Sequence, residues 1–162
     1  SRLHAVISNP IGGSTMANFS YNDGGRSDAG YKGDTGDCVT RAIAIASGVP
    51  YPEVREELMT RTKSFRETSR TKRAKRLTGN SVFNGALKDV YEPYLEELGF
   101  QWTPTCKFGS QDRVHLRKGE LPDGVIICKV SRHLCTVIDG VIQDVYDPSR
   151  KGDRMVYGYY SR

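Results

Sequence analysis

The hydrophobic period of this chain changes once, at Gly99, and that change limits the fold more than any other feature. Before Gly99 apolar residues recur at helical spacing, and after it they alternate as in strands. "CVTRAIAIAS" follows Asp37, a suitable N-cap residue, and runs to Gly48, a suitable stop. Val39, Ala42, Ile43 and Ala46 mark one face of this helix, and Ala44 and Ile45 fill much of the rest. A helix apolar nearly all round belongs at the centre of a fold. "VPYPEVREELMTR" predicts a second, surface helix, with a proline near its start and Val54 and Leu58 four apart. "SVFNGALKDVYEPYLEELG" carries Val82, Phe83, Ala86, Leu87, Val90, Tyr94, Leu95 and Leu98 at helical spacing, and Pro93 is expected to kink or split it.

Past Gly99, "FQWTPT", "VIICKV", "HLCTVI", "VIQDVYD" and "MVYGYY" read as strands, "LPDG" as a turn, and Asp139-Gly140 as a tight hairpin turn. Ala17 to Gly36, rich in Gly, Asp, Asn and Ser, reads as a loop or weakly ordered arm. Helices first and strands second is an α+β order: N-terminal helices, with the central cysteine-bearing helix packed on a C-terminal antiparallel sheet.

A length of 162 residues suits one domain, expected over 17–162. Residues 1–16 read as a tag or linker with the natural start at Met16, a natural disordered tail being the competing reading. No apolar run approaches the roughly 20 residues that span a bilayer, and the start lacks the long apolar segment of a secretory signal. The expectation is a cytoplasmic protein without membrane contact. Cys38, Cys106, Cys128 and Cys135 form no C-x-x-C pair, which suits free thiols better than disulfides or zinc, so no metal and no cofactor are expected.

The net charge of +5 is unevenly spread. Residues 61–76 hold Arg61, Lys63, Arg66, Arg70, Lys72, Arg73, Lys75 and Arg76 against the single acid Glu67. A solvated segment, an electrostatic contact to nucleic acid and a dock for an acidic partner all fit such a run. Phe65 is its one aromatic, sparse for stacking single strands. Tyr157, Tyr159 and Tyr160 read as sheet packing.

Cys38 stands at the junction of a glycine-rich lead-in and the apolar helix. A thiol in the first turn of a helix faces unpaired backbone N–H groups and the positive end of the helix dipole, which lower its pKa. A buried structural cysteine is the bland alternative. A thiol enzyme also needs a base beside the sulfur and a group that orients the base. His133, at the start of a strand, is the candidate base, and Asp144 and Asp147 on the returning strand are candidate orienters. A two-residue Asp139-Gly140 loop pairs Ile138 with Val141 and puts Asp144 on His133's face. A three-residue loop or a bulge puts Asp147 opposite His133 instead. His115 reads as an exposed strand end, and Cys135 as core despite sharing His133's face.

The "DC" at Asp37-Cys38, the "RH" at Arg132-His133 and the "YDPS" at Tyr146 to Ser149 resemble the papain-like cysteine peptidase superfamily, including its bacteriocin-processing and transglutaminase-like branches. In order of elements the resemblance covers Tyr31 to Tyr160, and "DC" is also similar to cell-wall amidopeptidases of that superfamily. It implies a papain-like fold, a peptide or protein substrate, Cys38 as nucleophile, His133 as base and Asp147 as orienter, ranked above Asp144 for that reason. The compact chain resembles small phage or bacterial members, which implies a host cytoplasm if phage-encoded. Such enzymes usually place a Gln or Asn shortly before the cysteine to complete an oxyanion hole, and Tyr31 to Asp37 contains neither. The remaining candidates are Asn22, a backbone N–H, and Asp37, whose charge would oppose an oxyanion. The expectation is a cysteine hydrolase or acyl transferase; the alternative is a catalytically weak or inactive interaction module that binds nucleic acid or a host protein through 61–76.

Overall fold

The computed structural model describes residues 18–32, 36–69, 88–106 and 113–162. The expected tag over 1–16, the positions Val82, Phe83, Ala86 and Leu87, and the basic side chains Arg70, Lys72, Arg73, Lys75 and Arg76 lie outside them.

Among the described residues three helices, α1 (Cys38–Ser47), α2 (Tyr51–Thr68) and α3 (Lys88–Glu97), stand with eight strands, making the chain α+β. The strands are β1 (Asn18–Tyr21), β2 (Gln101–Pro104), β3 (Val114–His115), β4 (Val125–Val130), β5 (His133–Ile138), β6 (Val141–Asp144), β7 (Met155–Val156) and β8 (Gly158–Ser161). α1 ends where Gly48 takes the left-handed conformation at φ 79° and donates its N–H to the Ala44 carbonyl. Asp37 stands at the N-cap position of α1 but makes no capping bond, contrary to the sequence expectation. Its carboxylate is held by Arg26, Arg41 and Tyr51 instead.

α2 carries Pro52 in its first turn and buries Val54, Leu58 and Thr62, one turn apart, and it continues past the predicted segment into the basic run. There Phe65 packs against the helical core. The Arg61 guanidinium lies 4.9 Å from the Tyr94 ring and bonds Glu57 and Glu97, each at 2.7 Å. This end of the basic segment is thus fastened to the helices. α3 runs through Pro93 as one helix, burying Val90, Tyr91, Tyr94 and Leu95.

The main sheet has the order β1-β6-β5-β4-β8-β2, and β1 runs parallel to β6, with Asn18 opposite Val141 and Tyr21 opposite Asp144. The expected all-antiparallel sheet is therefore corrected to a mixed one, and the expected arm over 17–36 holds an edge strand. "MVYGYY" divides into β7, which pairs with β3 in a separate two-stranded sheet, and β8, which pairs with β2 and β4. One core lies between sheet and helices, with Ile43, Leu58, Leu95, Ile127, Leu134 and Tyr160. The other lies on the opposite face, with Leu116, Ile126, Cys128, Cys135, Val137 and Ile142.

Gly158 meets Trp102 on the neighbouring strand, where a Cβ would come within 2.4 Å of the indole. Two rigid groups cannot share that space. Gly158→Ala is expected to cost about 1–3 kcal/mol of stability in a urea titration; an unchanged midpoint would contradict this packing.

Candidate active site

The two-residue Asp139-Gly140 turn sets the geometry of the site. Both residues have positive φ, 49° and 81°, the pattern of a type I′ hairpin, and Ile138 pairs with Val141 without a bulge. Hydrogen-bonded pairs then recur at every second residue, so Thr136 pairs with Gln143 and the N–H of Leu134 points to the β6 side of β5. β6 stops at Asp144, however, and the ladder stops at the Thr136–Gln143 pair. The N–H of Leu134, freed from the ladder, is directed at the Cys38 sulfur. The first turn of α1 thus meets the open end of the sheet.

Three side chains converge there. The Cys38 thiol lies within hydrogen-bonding reach of the His133 imidazole. His133 Nε2 lies 2.6 Å from Asp144 Oδ2, which leaves Nδ1 as the ring nitrogen for the sulfur. Asp144, 2 % exposed, also accepts at Oδ1 from Arg41 Nη1 and from the Val145 N–H, both at 2.7 Å. Tyr146 covers the imidazole from outside, its ring centroid 5.5 Å away and its own side half exposed.

Burial alone would raise the Cys38 pKa, but the hydrogen bond and charge of His133, the Leu134 N–H and the charge of Arg41 outweigh it and hold the thiol below its ordinary value. Burial would lower the His133 pKa, but its bonds to Asp144 and Cys38 and their charges raise it to about 9. Both shifts favour a thiolate–imidazolium pair at neutral pH. With that pair ionised, Arg26, Arg41 and His133 balance Asp37, Asp144 and Cys38 charge for charge.

The structure brings Asp144 to His133 and does not bring Asp147 there. Opposing His133 with Asp147 requires one extra residue in the hairpin, and the turn has none. Asp147 is exposed, and its Oδ1 accepts from the Ser149 N–H at 2.9 Å in a local turn. Asp144→Asn is expected to slow alkylation of Cys38 at pH 6 by about tenfold or more, because an opposite charge at this distance holds a neighbouring pKa by one unit or more. Asp147→Asn should leave the rate unchanged, and the reverse ranking would overturn the assignment.

Neither oxyanion candidate stands in that role. Asn22 donates to Gln143 Oε1 at 3.1 Å and accepts from the Gly24 N–H at 2.9 Å, and no described bond joins it to Cys38. Asp37 accepts from Arg26 Nε and Arg41 Nε at 3.0 Å each and from the Tyr51 hydroxyl. Burial works to raise its pKa, but the bonds from Tyr51 and Arg41 and the charges of Arg41 and Arg26 outweigh it and hold it below the ordinary carboxylate value. An ionised carboxylate only accepts.

The sequence reading missed Arg26, Arg41, Tyr51 and Tyr146. One signal was present for Arg41, the single charged residue in the run "CVTRAIAIAS" and one turn after Asp37. His115 is half-buried and bonded to Glu120 at 3.2 Å, apart from the site. Cys135 is 1 % exposed in the outer core, where burial pushes its thiol up, and it faces the equally buried Cys128 across the β4–β5 ladder. All four cysteines are free, and among the described residues no cluster of His, Cys, Asp or Glu is arranged to hold a metal ion. No described helix is long and apolar enough to cross a membrane. A cavity of about 420 Å³ lies on α2, lined by Tyr31, Pro52, Arg55, Met59 and Lys63 among others, and it does not include Cys38.

No protein-family model, no curated protein and no solved structure matches the chain. Its chemistry therefore rests on the site's own geometry.

Proposed function

We propose that the chain is a small papain-like cysteine hydrolase or acyl transferase with Cys38 as nucleophile, His133 as acid and base, and Asp144 as orienter. The observation that carries this reading is a helix-start thiol beside an imidazole whose Nε2 is 2.6 Å from a buried carboxylate. The Cys38 thiolate attacks the acyl carbon, and a carbon–sulfur bond forms as the carbonyl π electrons move to oxygen. The backbone N–H of Cys38, in the first turn of α1, is the donor offered to that oxygen. The tetrahedral intermediate expels the amine, which takes the imidazolium proton of His133, leaving a thioester. Neutral His133 then takes a proton from water or an acceptor amine as that nucleophile attacks the thioester, and the sulfur departs as thiolate, which restores the thiolate–imidazolium pair.

The Cys38–His133 arrangement fixes the pH dependence. Turnover needs the thiolate together with the imidazolium. It should rise with pH below the ordinary thiol value of about 8.5, because the Cys38 pKa is lowered, and fall again near pH 9 as His133 loses its proton.

A mixed peptide library, quenched in acid and followed by intact-mass spectrometry, tests the reading. The expected result is an acyl adduct confined to Cys38 and absent in Cys38→Ala. A library that neither acylates Cys38 nor is cleaved, over pH 5 to 9, would favour the interaction module, for which Arg61, Lys63 and Arg66 on α2 are the described basic groups of residues 61–76.

A further inference from the structure

Arg41 is 2 % exposed in the middle of the most apolar helix, where burying a guanidinium costs several kcal/mol unless its bonds offset the loss. Two of its bonds join the two sides of the proposed active site. Nε donates to Asp37 Oδ1 at 3.0 Å, and Asp37 is the residue immediately before the nucleophile. Nη1 donates to Asp144 Oδ1 at 2.7 Å, and the other oxygen of Asp144 holds the imidazole. The helix that carries the thiol and the strand end that carries the orienting acid share no backbone ladder. The planar guanidinium bonds both.

We infer that Arg41 is a positioning residue: its fork bridges Asp37 and Asp144 and so sets the start of α1, and with it the Cys38 sulfur, against the His133 ring. The inference rests on the catalytic reading above. A planar fork with fixed donor directions is needed for such a bridge, and a lysine ammonium supplies the charge without it. Arg41→Lys therefore separates geometry from charge, and it keeps a cation between the two buried carboxylates.

Several groups surround the pair. Arg41 and Asp37 face it from α1, with Arg26 and Tyr51 behind Asp37; Tyr91 faces it from α3, Lys129 from β4, Cys135 from β5, and Asp144 and Tyr146 from the end of β6, with Arg154 beside Tyr146. Arg41→Lys leaves all the others in place.

The test is the rate of iodoacetamide alkylation of Cys38 against pH in wild type, Arg41→Lys and Leu58→Ala. Leu58 is fully buried in α2 outside the site, so its truncation lowers the melting temperature without touching the pair. Arg41→Lys is expected to move the acid limb of the profile up by about one pH unit and to slow alkylation at pH 6 about tenfold. Leu58→Ala should keep the wild-type profile at a lower melting temperature. An Arg41→Lys profile that superimposes on a wild-type profile showing a low-pH thiolate would overturn the role of Arg41 alone. A wild-type profile like that of a free thiol would overturn the catalytic reading, and the inference with it.

Discussion

Asp37→Ala is expected to lower the unfolding free energy by about 3–5 kcal/mol, a large part of the total for a domain of this size. The carboxylate is 1 % exposed and receives two guanidinium groups and a phenol, so its removal leaves Arg26 and Arg41 in a buried site short of a counter-charge. The loss is one of unpaired charge, not of volume. Asp37→Asn should recover little, since a neutral amide cannot balance two cations. The pH dependence follows from the lowered pKa of Asp37. The unfolded chain binds this proton near pH 3.9 and the folded chain only at lower pH, so the stabilisation is present above about pH 4 and is lost as pH falls through the folded value. Urea titrations at neutral and acid pH measure both effects. A loss under about 1 kcal/mol would show that the hub contributes little.

His133→Ala is expected to reduce amide turnover by about 10²–10⁴-fold, the usual contribution of a positioned acid and base. On the proposed reading it removes the proton donor for the leaving amine and the partner that keeps Cys38 ionised. The basic limb near pH 9 should vanish with the imidazole, leaving activity that only rises as the thiol ionises. A variant that keeps turnover within about threefold of wild type, with its basic limb intact, would contradict the role of His133. Arg41 still pairs with Asp144 in this variant, so the carboxylate keeps a buried counter-charge and the fold should persist.

Much of the site was legible because it depends on local rules. Cys38 begins α1 where the apolar run meets the glycine-rich lead-in, and Asp139-Gly140 fixes the β5–β6 register from two residues. That register alone points to Asp144. The preference for Asp147 came from resemblance to a family pattern, and the strict two-residue turn contradicts it. β1 was illegible for a different reason. "NFSY" buries little of itself, and its order comes from backbone bonds to β6, more than a hundred residues away. Period and propensity carry no trace of such a parallel edge pairing. The charge hub was hidden in the same way. Arg26, the Asp37–Arg41 pair and Asp144 lie in separate segments, and their charges cancel only once the fold assembles them.

The most direct test of the central claim is the alkylation rate of Cys38 by iodoacetamide between pH 5 and 10, followed by mass spectrometry in wild type and His133→Ala. An ion-paired thiolate predicts labelling that stays fast well below the free-thiol pKa of about 8.5 and slows at pH 6 by about a hundredfold in His133→Ala. Slow labelling that rises only as an ordinary thiol ionises, with the same profile in both proteins, would contradict an activated Cys38–His133 pair.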